Sequence, residues 1–474
     1  MGDPVRAVKV NLENFKRKPI YAICILALIS FLVCVIVAVT AAPNIFGGST
    51  LDYNLCKSSE YTFCFNYFRT ENYAYFNVKL SPQNQIFYLQ LDFYSKTEID
   101  EEIKYDLFIK DSADFRSLIY RELNKTMSIK CSKGVCDSEL LFYLTEIKDY
   151  DYIVDLRFYG VIPVDSMKFK IRYIAKEFTQ FFLIIKYIFL ALSILALANF
   201  SYHLYIVKWK VWSMESKLSG FMLLSLFIFN EPMLYLTLSK MTYNWVALSI
   251  FCNFQFVGLL IIFWFQVLKK DLSFVVIKSA LTIVESLTVC AFLILMSIVY
   301  GLTIKEQKIN PTFSWEYDLP VLGKRLYIAG FSLLIILALM MLTYIAFSIK
   351  PLVKSLRVGD RSAKRRNSMQ IFVYFMIITT FLFIGIGAFQ PAPRSGTLLL
   401  VSVSFFNISL ILLSWLYTPS IKAYKEFLSQ RMKEENNHIV SPDDSNQDGN
   451  NDGSQPAKII ATDFQGITVA LNKS

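Results

Sequence analysis

One apolar segment near the N-terminus precedes about 135 strand-patterned residues, and seven more apolar segments then follow almost end to end. A hydrocarbon core of about 30 Å takes about 20 apolar residues per helix. Segments of that length lie near 21–42, 179–207, 218–239, 244–268, 273–302, 326–349, 371–390 and 396–418. The layout predicts a multi-pass α-helical membrane protein, with one N-terminal anchor helix and a GPCR-like seven-helix bundle. Between them it places an antiparallel β-sandwich on the lumenal or extracellular side. Most soluble-enzyme readings fall away before any motif is considered.

Composition bears on two further points. Apolar residues make up 54%, charged residues only 18%, and the mean hydropathy is +0.42, well outside soluble usage. The net charge of +10 would otherwise raise nucleic acid as a partner. Its excess sits beside the spans, however, where Lys and Arg orient a membrane protein, so the expected partner is the lipid bilayer. Arg6, Lys9, Lys16, Arg17 and Lys18 precede the first span. Lys208, Lys210 and Lys217, then Lys269 and Lys270, then the stretch from Lys350 to Arg366 fall on the same side, while the loop from Thr303 to Arg325 is balanced. Both termini are expected in the cytosol. The expected division is a cytosolic N-terminus over 1–20, a signal-anchor helix over 21–42, the sandwich over 43–177, the bundle over 178–420 and a largely disordered tail over 421–474.

Thr40-Ala41-Ala42 offers small residues to a signal peptidase, but the long charged lead-in and full-length apolar run favour a retained anchor. Met1-Gly2 is not a myristoylation site, because Arg6 takes the Ser/Thr position.

Runs of period two mark the polar region: Tyr88 to Tyr94, Ile153 to Tyr159 and Phe169 to Tyr173. β-branched and aromatic residues in that period indicate half-buried strands, and seven or eight of them suit a small sandwich. Four of the eight cysteines, Cys56, Cys64, Cys131 and Cys136, lie in this region alone, which implies an oxidising lumen and two disulfides. Three pairings are open, and chain order favours Cys56–Cys64 with Cys131–Cys136. Asn124-Lys125-Thr126 is a glycosylation sequon on this domain. The sequons at Asn199 and Asn407 fall inside spans and that at Asn472 in the tail, so they are set aside. With two histidines and no His/Cys cluster, no metal or other cofactor is expected.

Ionisable groups inside spans are costly and face the bundle interior. At about 1.5 Å per residue, Lys186 and Glu231 lie at similar depth on consecutive helices, with Asn253 and Asn407 near the same level and Glu285 deeper. These residues, with Asn230 and Pro232, are candidate lining of a polar, lipid-accessible cavity; the competing reading is interhelical glue. Pro232 bends its helix and frees a carbonyl, and irregular backbone at depth is tolerated only under cover of protein or water.

Three stretches resemble the transmembrane protein 181 family, within the Wntless-like lumenal-sandwich (GOLD-domain) proteins with seven helices. Trp212-Ser213-Met214-Glu215-Ser216-Lys217 is similar to that family's Trp-x-x-Glu-x-Lys. Asn230-Glu231-Pro232 is similar to its Asn-Asp-Pro, with Glu for Asp, and Phe406-Asn407 with Tyr417-Thr418-Pro419-Ser420 to its last-helix Asn and Tyr-Ser-Pro-Ser exit. Cys131…Cys136 resembles a short Cys-x-x-x-Cys loop there but is one residue longer. The resemblance covers about residues 21–420 and implies a non-enzymatic protein of the secretory pathway or plasma membrane. Wntless relatives escort cargo, and in Wntless the cargo's lipid chain enters the bundle; a lipid or lipidated protein is the cargo class so implied. The transmembrane protein 181 group is associated with toxin entry at the cell surface.

On the cytosolic side, Lys350 to Arg366 carries seven basic residues against Asp360 alone, which reads as orientation and anionic-lipid contact. Arg365-Arg366-Asn367-Ser368 resembles a basophilic kinase site, where phosphate on Ser368 would weaken that contact. Tyr424-Lys425-Glu426-Phe427 fits a Tyr-x-x-bulky sorting signal for a clathrin adaptor, or the apolar stripe of a short surface helix. From Glu434 to Gln455 apolar residues are almost absent, as in disordered chain.

The function expected is a trafficking or cargo receptor of the Golgi/endosomal system or plasma membrane, with a partner-binding sandwich above a lipid-accessible cavity. A GPCR-like signalling receptor is the alternative, although Asp-Arg-Tyr and Asn-Pro-x-x-Tyr are absent from the expected helices. An ion channel or transporter ranks third, for want of an inverted repeat. No enzyme is expected, since no Gly-x-Ser-x-Gly or paired intramembrane Asp is present.

Overall fold

The computed structural model describes residues 10–11, 17–52, 71–84, 87–111, 118–132, 134–144, 147, 150–159, 164, 166–231, 243–269, 275–309, 319–357, 373–383 and 396–439. A helix lies at each of the eight predicted spans. They are α1 (Arg17–Thr40), α2 (Lys176–Ile206), α3 (Met214–Phe229), α4 (Tyr243–Lys269), α5 (Val275–Ile309), α6 (Val321–Arg357), α7 (Val373–Phe383) and α8 (Gly396–Tyr417). Among the described residues one further helix, α9 (Ile421–Ile439), follows the last. Among the described residues, six of these helices are long and apolar enough to cross a membrane; α3 and α7 are shorter. The chemistry behind this is plain: hydrocarbon offers backbone groups no partner, so an apolar segment there satisfies its own N–H and C=O as helix. Ile25, Leu28, Leu32 and Ile36 of α1 are exposed to the surroundings, as lipid-facing residues are.

Two antiparallel sheets fill the region between α1 and α2. The strands are β1 (Phe46–Asp52), β2 (Glu71–Leu80), β3 (Phe87–Tyr94), β4 (Ile99–Asp111), β5 (Leu118–Ser132), β6 (Val135–Cys136), β7 (Glu139–Leu144), β8 (Tyr150–Tyr159) and β9 (Ser166–Ile174). One sheet has the order β1-β9-β3-β7 and the other β2-β8-β4-β5-β6. The three alternating runs seen in the sequence are β3, β8 and β9. Their inward residues meet between the sheets: Phe87, Leu89 and Leu91 from β3, Tyr152, Val154 and Leu156 from β8, Phe169 and Ile171 from β9, all buried in one core with Tyr105 and Leu107 of β4. Among the described residues nine strands stand where seven or eight were expected. The extra one, β6, has two residues held opposite Cys131 and Ser132, too short to leave a periodic signal. Gly48, in the left-handed region at φ 134°, lets β1 press on β9; a Cβ there would lie 1.9 Å from the Ile171 carbonyl oxygen.

The sandwich is tied to the bundle by a single residue of connection. β9 ends at Ile174 and α2 begins at Lys176, while the Ala175 amide between them donates to the Ile45 carbonyl at 2.9 Å. Ile45, Ile174, Ala175 and Phe178 pack with Ala38 of α1 and Leu400 of α8. Asn84 Nδ2 donates to the Ile174 carbonyl at 3.0 Å. α1 runs along α8, with Phe31 edge-on to Phe405 at 5.9 Å and Thr397 Oγ1 donating to the Ala38 carbonyl at 3.2 Å.

Candidate functional site

α3 begins with a local cap. Ser213 accepts from the Ser216 amide at 3.2 Å and Glu215 sits in the first turn, both favourable at a helix N-terminus. Its other end is abrupt. The sequence predicts one helix over 218–239, but the α-helix stops at Phe229: Asn230 is the cap and Glu231 takes φ 50°. That left-handed conformation costs a non-glycine residue about 1 kcal/mol or more and clusters at functional sites. The helix end falls at Asn230–Glu231; Pro232, where the bend is expected, lies outside the described residues.

The break places polar groups against neighbouring helices. Lys186 of α2 reaches Glu231, Nζ to Oε1 3.0 Å, with both side chains almost fully buried. The ammonium also stands 5.4 Å from the Phe182 ring centre and 5.6 Å from that of Phe229, a cation–π setting that supports a desolvated charge. Asn230 Nδ2 donates to Asn407 Oδ1 on α8 at 2.7 Å, and Asn407 Nδ2 donates to the Val403 carbonyl at 3.0 Å. Asn230 is 0% exposed, yet its Oδ1 has no hydrogen-bond partner among the described residues. Aromatic rings wall the group: Phe229 stacks on Phe256 at 4.3 Å, and Phe406 stands edge-on to both. Asn253, on α4, is half-buried.

Glu285 does not join this group. It pairs with Lys269 at the end of α4 and accepts a hydrogen bond from Tyr344 Oη of α6 at 2.6 Å, so both its oxygens are engaged. Lys269 Nζ also donates to Thr282 Oγ1 at 2.8 Å. Lys269 is buried and turned toward Glu285, since a carboxylate inside a helix bundle needs a cation or donor within reach. Tyr344 and Thr282 were missed in the sequence. The available signal was Glu285 itself, which must find a donor within reach. One helical turn beyond Tyr344 on the same face, Ser348 accepts from Tyr374 Oη of α7 at 2.6 Å.

The third meeting place is the exit of α8. Ser216 Oγ donates to the Tyr417 carbonyl at 2.7 Å, and His203 Nδ1 is 2.9 Å from the Pro419 carbonyl. Asn11 covers the remaining end with its amide on the Thr418 carbonyl at 2.9 Å and Nδ2 on that of Trp415 at 3.0 Å. Trp212, buried beside this point, donates Nε1 to the Val207 carbonyl at 2.9 Å. The motif stretches at 212–217, 230–231 and 407–420, far apart in sequence, thus converge on the length of α8.

On the sandwich, Cys131 and Cys136 form a disulfide. Cys56, Cys64 and Ser368 lie outside the described residues. Asn124 is exposed on a bulge of β5 at φ 58°, its amide donating to Asp106 Oδ1 at 2.7 Å. Tyr424 is helical and 6% exposed, and Phe427 follows on the same helix, half-buried.

Compared with known proteins, residues 175–421 match the family described as Wntless-like, transmembrane domain. That stretch runs from the Ala175 connection to the first residue of α9 and takes in all three meeting places apart from Asn11. No curated protein sequence matches the chain.

Proposed function

This chain belongs to the Wntless-like transmembrane family, whose members are non-enzymatic membrane proteins, and on that premise we propose that it is a trafficking or cargo receptor. The sandwich faces the lumen or cell exterior and binds a partner there. Below it a seven-helix bundle, with α1 as retained anchor and both termini in the cytosol, takes a lipid or lipid-modified group at the break in α3. Within the family the motifs place it beside the transmembrane protein 181 group, and its address is the Golgi/endosomal system or the plasma membrane.

The observation that carries this reading is the conjunction at Asn230–Glu231. α3 ends within the expected span, at a left-handed glutamate, beside a buried acceptor with no hydrogen-bond partner among the described residues. Interhelical glue alone would saturate its hydrogen bonds, because an unmet buried acceptor costs about 1–3 kcal/mol. The Lys186–Glu231 pair is formally neutral, so a ligand at this level would bring a neutral hydrogen-bond donor to Asn230 Oδ1. The Cys131–Cys136 disulfide and the exposed Asn124 sequon support the lumenal placement.

The test is purification in mild detergent with mass spectrometry of co-purifying lipids and proteins, comparing wild type with Asn230→Ala and Glu231→Ala. Loss of a specific lipid or protein from folded variants is the expected result. Equal recovery from all three would overturn the cavity at this position.

A further inference from the structure

We propose that α9 is a membrane-surface helix whose apolar stripe seats in the anionic leaflet of the membrane that the bundle spans. The proposal rests on the cytosolic placement of the C-terminus given above.

The helix cannot lie far from the bilayer boundary. α8 ends at Tyr417 and α9 begins at Ile421, and the three residues between them span at most about 10 Å. The start of α9 is fixed: the Tyr424 amide donates to the Ser420 carbonyl at 3.0 Å, and Ala423 and Tyr424 are buried. The compact unit that contains the bundle ends at Tyr424, and the next turns of α9 continue as one helix.

Along those turns the residues sort by face. Ile421, Tyr424, Leu428 and Met432 recur at i, i+3, i+7 and i+11, a narrow apolar stripe on a 3.6-residue period, with Phe427 beside it. Leu428 is 40% exposed and Met432 59% exposed, so the distal half of the stripe is uncovered. Lys425 and Arg431 flank it on opposite sides, and the Arg431 guanidinium lies 5.9 Å from the Phe427 ring centre. Lys422 and Lys433 stand toward the polar face, giving four cations to the single carboxylate Glu426 between Ile421 and Lys433. An apolar stripe edged by long cations, with low overall hydropathy, is the pattern of a helix lying in the interface: the stems reach past the stripe and the charges meet headgroups. Each cation near an anionic surface adds about 1 kcal/mol. The competing occupant is a clathrin adaptor, and the burial and helical state of Tyr424 disfavour it.

The test uses the full-length protein reconstituted into vesicles of phosphatidylcholine, with or without phosphatidylserine. A nitroxide is placed by Leu428→Cys, Met432→Cys or Gln430→Cys, in a background whose unpaired cysteines are replaced. Collision rates with oxygen and with an aqueous nickel complex are compared. The expected result is several-fold lower nickel access at 428 and 432 than at 430, a contrast that deepens with phosphatidylserine. Lys425→Glu with Arg431→Glu is expected to remove the phosphatidylserine-dependent part. Equal nickel access at all three positions in both membranes would overturn the proposal, as would shielding of 428 that appears only on adding an adaptor medium subunit. Protease access to the tail from outside intact cells reports orientation separately, so a failure of the cytosolic placement is distinguished from a failure of surface seating.

Discussion

Among the described residues the bundle buries two ion pairs, around Glu285 and around Glu231, and their surroundings differ. Around Glu285 both carboxylate oxygens are used, Lys269 has a second acceptor in Thr282, and the group joins α4, α5 and α6. Around Glu231 the pair is also buried, but the backbone is left-handed, the helix stops, and Asn230 Oδ1 has no partner among the described residues. A saturated cluster in low dielectric has one good arrangement and holds helices in place. An unsaturated one, next to interrupted backbone, leaves free energy for a third party to supply. The contrast separates a clamp from a candidate site among residues of the same chemical type.

The largest expected effect tests the clamp. Glu285→Ala strands Lys269 in the interior and is expected to lower stability by about 3–5 kcal/mol, whereas Lys269→Met with Glu285→Leu is expected to come out near neutral. Thermal denaturation in detergent reads both. Removing the charge at the break should cost less: Glu231→Gly strands Lys186 but relieves the left-handed residue by about 1 kcal/mol. It is therefore expected to melt above Glu285→Ala. If the two melt together, the strain at Glu231 carries no weight in the comparison.

Smaller again is the asparagine pair. Asn230→Leu with Asn407→Leu removes one interhelical hydrogen bond, worth about 0.6 kcal/mol in a membrane bundle, and the unmatched acceptor with it. The net change in melting is expected to be slight while any bound lipid is lost. A large fall in melting temperature without ligand loss would make the break a structural joint like the clamp. As a baseline, Lys130→Ala breaks an exposed pair with Asp100, 3.7 Å long with side chains 60% and 75% accessible, and should change melting too little to measure.

Much of this plan is legible in the residues. Span positions follow from local hydropathy, and β3, β8 and β9 from period-two runs. The Lys186–Glu231 pairing follows from matching depth on consecutive helices, since an intramembrane charge has few partners to choose from. The pairing of Lys269 with Glu285 was not legible for a physical reason: at the end of a span, a lysine that snorkels outward and one that turns inward have the same local sequence. Tyr344 in itself offered no signal beyond the need of Glu285 for a donor, because a tyrosine in a span is as ordinary facing lipid headgroups as facing a carboxylate. The end of α3 came earlier than expected, as the apolar run continues past Glu231 and composition alone does not register a left-handed residue.

The sequence by itself determined which segments form apolar helices, which region forms sheet, and that a few charges must be buried. Each of these depends on side-chain properties summed over a short stretch. Only the tertiary structure decided which buried groups meet. Lys186 and Glu231 are 45 residues apart, and Asn230 and Asn407 are 177 apart. Their contact depends on the rotation and packing of whole helices, which are set by shape complementarity across the bundle.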